Sequence, residues 1–457
     1  MKKRIAIIGW WAAGMMVAAT IIEHTENAEI HIFEKNKELW TKVRISWWWR
    51  CNVTTWFYKK QDLQKKYTRW RDFIAYSMWQ FGPRKMYAWC EEHGVPLKCE
   101  DDMRVFPQSN NGNDIVGIFE KILKSWSTHI HFQEGVSSIK RPVSLDINNN
   151  ISKVDKNLEW SIERPVSEEF IVKTPLQEYT FDIVVITTWW NAYAHTWSSG
   201  EWYDFSKVFW HTTTALWPSL NSFLVEEQRI KDCSWISFPK AMLRPVSLDT
   251  NNNISKVDKN KETITERPVS VVWPILLTHF WISWPVTFTY SSHIPYIPIS
   301  SHETHKVNLV PFADRNEHWW GQRLDEKANI EAKKQLSTVL WYEFTKRWVE
   351  LFLWEFKIDW TTMISNISRD QRKLIAKLLG NGFPITLIAR RPWDEFVTAW
   401  WVNTDEVNQE TIESKLCSWL FFAWEVLNID AVTWWFNFQS CWATGRCAGI
   451  AVASRVW

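Results

Sequence analysis

The chain has 457 residues, enough for two or three domains that each bury a hydrophobic core. Its 53 basic and 51 acidic residues leave a net charge of +2, which argues against a nucleic-acid-binding or anionic-membrane-binding protein. The seven cysteines form no C-x-x-C pair, and without a clear export signal they predict reduced thiols in a cytoplasmic protein.

Tryptophan and glycine have unusual frequencies in this chain. There are 37 Trp and 13 Gly, whereas average usage gives about 30 Gly in a chain of this length. Tryptophans cluster where turn glycines are expected, at residues 47–49, 189–190, 400–401 and 434–435. Our hypothesis is that most of these positions were glycine in a parent sequence and have been replaced, the alternative being a naturally tryptophan-rich protein. Ordinary backbone angles at Trp11, Trp48 and Trp190 would remove the physical support for this interpretation.

The first 35 residues predict a β-α-β unit. Residues 4–8 are a hydrophobic run typical of a buried parallel strand, residues 12–24 have helical spacing, and residues 29–33 read as a second strand. The alternative is a signal or membrane segment, since residues 5–22 are uncharged and follow a basic start. Gly9 and Gly14 interrupt that run, so we expect a globular protein.

Later segments also have helical or strand patterns. Helices are predicted over residues 60–94, 114–124, 322–380 and 437–454, and strands over 130–132, 135–139, 181–187, 383–389 and 421–423. The fold class is therefore α/β. Residues 1–212 and 383–457 are expected to form one nucleotide-binding domain, interrupted by a β-rich domain (213–320) and a small helical domain (321–382).

The chain contains one internal repeat. Residues 141–167 recur as residues 244–270, with 22 of 27 positions identical. Two copies 103 residues apart do not make a solenoid, which needs at least about three repeats. We interpret them as exposed polar hairpins without a catalytic role; a paired ligand-binding loop is the alternative.

The loop after the first strand has the pattern of a dinucleotide-binding site. A dinucleotide needs a tight turn, close backbone approach, helix amides aimed at its pyrophosphate and an acidic residue on its ribose. Gly9, Gly14 and Glu34 satisfy three of these needs, but Trp11 stands where the second glycine is expected. The alternative is an ordinary β-α-β unit with a surface Glu34.

Six motifs in order extend this pattern over nearly the whole chain outside the repeats. They are "IIGWWAAG", "ELWTKVRISWWWRCNVT", "VFPQSN", "VVITTWWNAY", "LTHFWISWPV" and "LFFAWEVLNIDAVTWWFNFQSCWATGRCAG". They resemble the motifs of the BaiN/RdsA-like (aminoacetone-oxidase-like) flavoprotein family, and more closely if Trp is read as Gly. The resemblance implies an FAD-dependent oxidoreductase with a Rossmann-like FAD-binding domain (a parallel sheet with a β-meander), an inserted β domain and a small helical domain.

The resemblance also implies a set of cofactor-binding residues. The pyrophosphate would be held by Gly9, Trp11, Ala12 and Gly14, near Thr188 and Trp189. The adenosine side would comprise Glu34, Lys35 and Val136. The flavin side would comprise Lys42, Arg44, Ser46, Arg50, Cys51 and Asn52, and the C-terminal segment would add Asp430, Asn437 and Gln439. The first loop and the C-terminal helix are thus expected to converge on a single FAD.

Some of these positions have alternative roles. Cys51 is a buried core thiol, a redox thiol or a flavin attachment point, and Arg50 pairs with flavin phosphate or holds an acidic substrate. The C-terminal helix either stabilises negative charge on reduced flavin or simply packs closely through Gly445 and Gly449.

The chemistry beyond the cofactor is less determined. There is no Ser-His-Asp order, no H-E-x-x-H and no Cys/His metal spacing, so no metal is expected. His279 is the acid–base candidate, with capping of a turn as the alternative. A small-molecule substrate is expected, and NAD(P)H could reduce the flavin directly, since no second glycine-rich unit is visible. An indole at Trp11 would displace hydrogen bonds of about 1.5–3 kcal/mol each, which makes a cofactor-free scaffold, or an altered non-functional variant of such a flavoprotein, an alternative. A flavin-bearing RNA-modifying protein is a further one.

Overall fold

The computed structural model describes residues 2–37, 43, 49–68, 72–126, 128–141, 169–188, 202–213, 217–246, 270–392, 397–399, 402–423 and 426–456. The chain divides into two compact units. The Rossmann unit comprises Met1–Ala215, Trp400–Ile429 and Trp434–Trp457, and the barrel unit comprises Leu216–Ala399 and Asp430–Thr433. No helix in the described part of the chain is both long enough and apolar enough to cross a bilayer.

The Rossmann unit is built on a five-stranded parallel sheet in the order β19-β10-β1-β2-β6. Its strands are β1 (Lys3–Ile8), β2 (Ala28–Glu34), β6 (Thr128–Phe132), β10 (Ile183–Ile186) and β19 (Leu420–Phe422). β10 is buried along its whole length, as expected for an apolar strand in a sheet covered on both faces.

Two smaller antiparallel sheets belong to the same unit. One pairs β3 (Thr54–Thr55), β5 (Arg104–Pro107) and β4 (Leu97–Cys99), and the other is a meander of β7 (Ser138–Lys140), β8 (Phe170–Lys173) and β9 (Glu178–Phe181). The sequence predicts one strand over residues 181–187, but Phe181 ends β9 and Ile183 begins β10. A continuous apolar run does not reveal that the chain changes sheets at Asp182.

Seven described helices complete the Rossmann unit: α1 (Ala12–His24), α2 (Lys60–Gln64), α3 (Ile74–Gln80), α4 (Pro83–Glu92), α5 (Gly112–Lys124), α6 (Trp202–Val208) and, near the C-terminus, α13 (Trp434–Arg455). α1 has the bounds predicted from the sequence. Gly445 and Gly449 let α13 pack closely along α1. A Cβ at Gly445 would lie 2.6 Å from the Ala13 carbonyl oxygen, and a Cβ at Gly449 would lie 2.5 Å from Thr20 Cβ, so a larger residue at either position would push the helices apart.

The barrel unit contains a closed six-stranded barrel in the order β12-β15-β14-β13-β16-β17 and a two-stranded sheet, β11-β18. The strands are β11 (Trp217–Leu220), β12 (Phe223–Val225), β13 (Ser237–Pro245), β14 (Val271–Leu277), β15 (Trp281–Ser283), β16 (His305–Val310), β17 (Phe383–Arg390) and β18 (Val397–Ala399). β17 pairs with β12 and β16, so residues 383–390 belong to the barrel, whereas the sequence places them in the nucleotide-binding domain.

Helices of the barrel unit share its hydrophobic core. They are α7 (Gln228–Asp232), α8 (Pro285–His293), α9 (Glu317–Ile330), α10 (Leu336–Leu340), α11 (Lys346–Glu355) and α12 (Arg369–Asn381). Phe344 stacks between Trp320 and Trp348, with ring centroids 5.6 and 4.1 Å away, and Phe352 extends the stack at 4.7 Å from Trp348. Residues 321–382 therefore pack into the barrel unit's core and belong to the same compact unit as the barrel.

Both copies of the repeat connect neighbouring antiparallel strands. The first lies between β7 and β8 of the meander, and the second spans the connection from β13 to β14 of the barrel. Most of their residues lie outside the described ranges. Arg244 and Pro245 of the second copy belong to β13, and the interpretation of the repeats as exposed polar hairpins falls on residues outside the described ranges and stays a prediction.

Tryptophan recurs at backbone positions that favour glycine. Among the described residues, eleven non-glycine residues have positive φ, and five of these are Trp49, Trp210, Trp235, Trp284 and Trp419. Large aromatic residues rarely adopt such angles. The interpretation of tryptophans at glycine positions therefore has backbone support at these five sites.

Candidate dinucleotide site

The loop between β1 and α1 is shaped by two glycines and a threonine. Gly9 has φ of +92°, and a Cβ there would lie 2.7 Å from Thr188 Cα. A Cβ on Gly14 would lie 2.5 Å from the Gly9 carbonyl oxygen and 2.7 Å from Thr187 Oγ1. The Thr187 hydroxyl donates to the Gly9 carbonyl at 2.6 Å. Thr187 thus holds the loop at the carboxyl edge of the sheet, a role that the sequence motifs did not assign.

Glu34 stands beside this loop at the end of β2. Its Oε2 accepts a hydrogen bond from the Trp10 amide at 3.2 Å, and its Oε1 accepts from the Asn36 amide and side chain at 2.9 and 2.7 Å. The carboxylate is buried. Because the strand ends of a parallel sheet meet at one edge, the predicted acidic residue and the predicted loop are brought together.

The first turn of α1 offers amides to an anion. The first amides of an α-helix have no acceptor inside the helix, and they carry the positive end of its dipole. Within the described residues, no acceptor bonds the amides of Ala12, Ala13 and Gly14. The structure therefore presents donors at the predicted pyrophosphate position.

Trp11 requires a correction to the sequence-based expectation. It is the N-cap of α1 with φ −110° and ψ −179°, extended angles that any L-residue adopts. The backbone angles at Trp11 therefore do not require glycine. Tryptophan differs from glycine at this position only through the volume of its buried side chain. Trp48 and Trp190, named in the same expectation, lie outside the described residues.

α13 runs parallel to α1, and its N-terminal end extends beyond the first turn of α1. Gly445 faces Ala13 and Met16, and four residues later Gly449 faces Val17 and Thr20, so the two helices run in one direction. Eleven residues precede Gly445 in α13, and at 1.5 Å per residue they extend the helix about 16 Å further. The N-terminal ends of both helices therefore lie on the side of the sheet where the glycine loop lies.

The N-terminal turns of α13 are fastened by buried polar side chains. The Tyr67 hydroxyl donates to the Phe436 carbonyl at 2.8 Å, and burial raises the pKa of Tyr67 well above its usual value, so this hydroxyl stays protonated. Thr54 donates to Gln439 Oε1 at 2.6 Å, and Gln439 donates to the Phe81 carbonyl at 2.8 Å. Asn437 is buried in the same turns. Tyr67 lies outside the six motifs, and Thr54 ends the second of them without a predicted role.

Other predicted residues of the Rossmann unit have different surroundings. The Arg50 guanidinium pairs with Glu100, bonds Asn110 Oδ1 at 2.8 Å and lies 3.9 Å from the centroid of the Phe106 ring. Cys51 and Asn52 are fully buried, and Val136 is buried next to Gly135, whose Cβ position contacts the Lys35 side chain. The alternative of Cys51 as a buried core thiol fits this burial, and cofactor contacts from all of these residues stay predictions.

The remaining predicted residues are not part of this loop. Lys42, Arg44, Ser46 and Trp189 lie outside the described residues. Asp430 and His279 belong to the barrel unit, where Ser219 donates to Asp430 and His279 lies at the exposed connection between β14 and β15. Their predicted roles stay predictions.

Comparisons with known proteins agree with the motif pattern. Residues 3–451 match the family described as HI0933-like protein Rossmann domain. The 3-dehydro-bile acid delta(4,6)-reductase of Clostridium scindens is 20% identical over 456 residues, 99% of each chain. The ribosomal RNA dihydrouridine synthase of Haemophilus influenzae is 26% identical over 183 residues, 40% of this chain and 42% of that one. An open flavocytochrome c3 fumarate reductase structure has a TM-score of 0.46 and 12% identity, covering 100% of this chain and 78% of that one. The match and the observed sheet confirm the family resemblance and the fold class.

Proposed function

The chain belongs to the family of HI0933-like proteins with a Rossmann domain, and from this premise we propose that it is an FAD-dependent oxidoreductase. The observation that carries the proposal is the glycine loop at the carboxyl edge of the parallel sheet, with Glu34 beside it and the first-turn amides of α1 above it. Open α/β sheets bind nucleotides at this edge.

The residues present fit the two charged or polar parts of a dinucleotide. The amides of Ala12, Ala13 and Gly14 would hold the pyrophosphate, and Glu34 would accept from ribose hydroxyls. Bound FAD would supply hydride and electron transfer through its flavin N5 atom. The N-terminal end of α13, kept in position by Tyr67 and Thr54, would stabilise negative charge on the reduced ring.

Trp11 is expected to weaken this binding. A side chain at the second glycine position keeps the phosphate from the backbone, and each charge-assisted hydrogen bond lost costs about 1.5–3 kcal/mol. The alternative function, a scaffold of this fold without cofactor, rests on the same observation.

Two relatives suggest substrate classes without deciding between them. One is named as a bile-acid reductase and aligns over the whole chain, and the other is named as a ribosomal RNA dihydrouridine synthase and aligns over less than half. The near-zero net charge and the longer alignment favour a small molecule. NAD(P)H is the proposed reductant, and His279 is the proposed acid–base residue.

Flavin binding by the purified chain tests the proposal. We expect a Trp11→Gly variant to bind added FAD roughly 10- to 150-fold more tightly than the parent, the equivalent of one recovered hydrogen bond. Quenching of flavin fluorescence and the visible absorption spectrum measure this.

Trp210→Gly is the matched control, because Trp210 is exposed, has φ of 61° and belongs to the same unit without being part of the loop. It should leave FAD affinity unchanged. A Trp11→Gly protein that keeps its native circular dichroism but binds no FAD would support the scaffold alternative instead.

A further inference from the structure

Pairing of β2 with β6 brings together histidines and a carboxylate that the dinucleotide site does not use. His31 lies opposite His129, and Phe33 lies opposite His131. Glu29 precedes His31 by two residues on β2 and therefore points to the same face of the sheet. β6 is the edge strand of the sheet, so this cluster lies at one border of the Rossmann unit.

Three potential ligand atoms converge in the cluster. Glu29 Oε1 is 2.9 Å from His31 Nε2 and 3.7 Å from His129 Nε2, and all three ligand atoms lie within 4.8 Å of one another. Ligands at 2.0–2.1 Å in a tetrahedral site are about 3.3 Å apart, so small rotamer shifts would let one ion touch all three. We propose that Glu29, His31 and His129 form a Zn²⁺ site, with water as the fourth ligand.

A second layer of hydrogen bonds orients one of the ligands. His31 Nδ1 is 3.0 Å from His131 Nε2, and His131 Nδ1 is 3.1 Å from Glu134 Oε2. The buried Glu134 also accepts from Thr174 at 2.7 Å and Tyr179 at 2.8 Å. Such carboxylate–histidine relays fix ring orientation at metal sites and direct the other nitrogen to the metal.

Counting hydrogens supports a cation at this place. The row Glu29–His31–His131–Glu134 has three contacts, and each needs one hydrogen if all are hydrogen bonds. Two neutral imidazoles supply two hydrogens, so the third contact is satisfied either by a second proton on one imidazole or by a metal ion in place of that proton. With a metal ion on His31 Nε2, His31 Nδ1 donates to His131, His131 Nδ1 donates to Glu134, and every contact is satisfied.

The donor set and exposure favour Zn²⁺. Two imidazoles and a carboxylate suit a borderline transition metal better than Mg²⁺ or Ca²⁺, which prefer oxygen ligands. The His129 side chain is 49% exposed and Glu29 36%, so an ion and a water can reach them. Arg4 is the nearest competing cation; its Nε is 4.0 Å from Glu29 Oε1, and its Nη1 donates to Thr180 at 3.1 Å.

Titration of the chelator-treated 457-residue chain with Zn²⁺, measured by calorimetry, tests this site independently of flavin. We expect one equivalent to bind and to raise the Tm. Loss of a residue that orients a metal ligand typically weakens binding roughly 10- to 100-fold, and we expect this effect from Glu134→Gln. His129→Ala and Glu29→Gln each remove a ligand, so they should weaken Zn²⁺ binding by more than that. His129 and Glu29 are exposed enough for these variants to fold, which circular dichroism checks.

His93→Ala is the control: His93 forms an ion pair with Glu23 at 3.9 Å and belongs to no metal-ligand cluster among the described residues, so this variant should bind Zn²⁺ like the parent. Co²⁺ in place of Zn²⁺ should give visible bands of nitrogen and oxygen coordination that disappear in His129→Ala. The proposal is overturned if the parent binds no Zn²⁺, if the His129 and Glu29 variants bind as the parent does, or if the Co²⁺ spectrum shows sulfur ligation.

Discussion

Trp284 is the residue whose backbone most clearly calls for glycine. Its φ of 81° and ψ of 179° fall in a region that only glycine populates freely, and it forms the N-cap of α8 without a side-chain hydrogen bond. A residue held in such a region costs about 1–3 kcal/mol. The barrel unit therefore folds around strain at this turn.

We expect Trp284→Gly to raise the free energy of unfolding by about 1 kcal/mol, since relief of strain exceeds the entropic cost of glycine and the contacts of a partly exposed indole. Urea denaturation measures this. Trp354→Gly is the matched control: Trp354 is exposed within α11, so glycine there should lower stability by about 1 kcal/mol. Equal effects of the two substitutions would contradict the assignment of strain to Trp284.

At the level of elements, the parallel pair α1 and α13 positions both predicted ends of the cofactor site. The pair approaches closely because Gly445 and Gly449 leave room for Ala13 and Thr20. Close packing of α13 against α1 is therefore compatible with the proposed stabilisation of negative charge on reduced flavin by the N-terminal end of α13. Close packing is what sets the two helices parallel, with the N-terminal end of α13 extending about 16 Å beyond the first turn of α1.

Gly449→Ala should cost about 1–3 kcal/mol, because its new methyl group would lie 2.5 Å from Thr20 Cβ and force the helices apart. Gly117→Ala in α5 is the control: a Cβ there meets no atom within 4 Å, so alanine should stabilise the helix by about 0.5–1 kcal/mol. Thermal unfolding of both variants compares them. A stable Gly449→Ala protein would show that the helix contact can widen without cost.

At the level of the whole molecule, a buried histidine of the barrel unit makes stability depend on pH. In the barrel unit, burial and the nearby Arg390 lower the pKa of His305 to about 4, and Tyr290 Oη lies 2.7 Å from its Nε2. A histidine unfolded in water has a pKa of about 6.5. Below that pH the unfolded chain takes up a proton that the folded unit does not.

Acidification from pH 6.5 to 4 should therefore lower the free energy of unfolding of the barrel unit by up to roughly 3 kcal/mol. Above pH 6.5 His305 is neutral in both states, and this loss of stability is absent. Urea midpoints across this range measure the loss, which His305→Asn should reduce. His279→Ala, at an exposed position in the same unit, should leave the pH dependence unchanged. An unaltered slope in His305→Asn would assign the acid sensitivity to other groups.

The sequence by itself determined the β-α-β unit, the bounds of α1, the glycine loop with Glu34 and the family. These features depend on neighbours along the chain: hydrophobic periodicity, turn glycines and the spacing of one acidic residue. The sequence also suggested tryptophans at glycine positions, which positive φ supports at Trp284 but not at Trp11.

Only the tertiary structure decided which remote segments meet. It divided residues 181–187 between two sheets, placed β17 in the barrel, fastened α13 through Tyr67 and Thr54, and set His31 beside His131, 100 residues away. Strand register and side-chain burial are properties of the complete fold, because which strands pair depends on how all the strands and helices pack together. A site built from such partners leaves no spacing pattern in the chain.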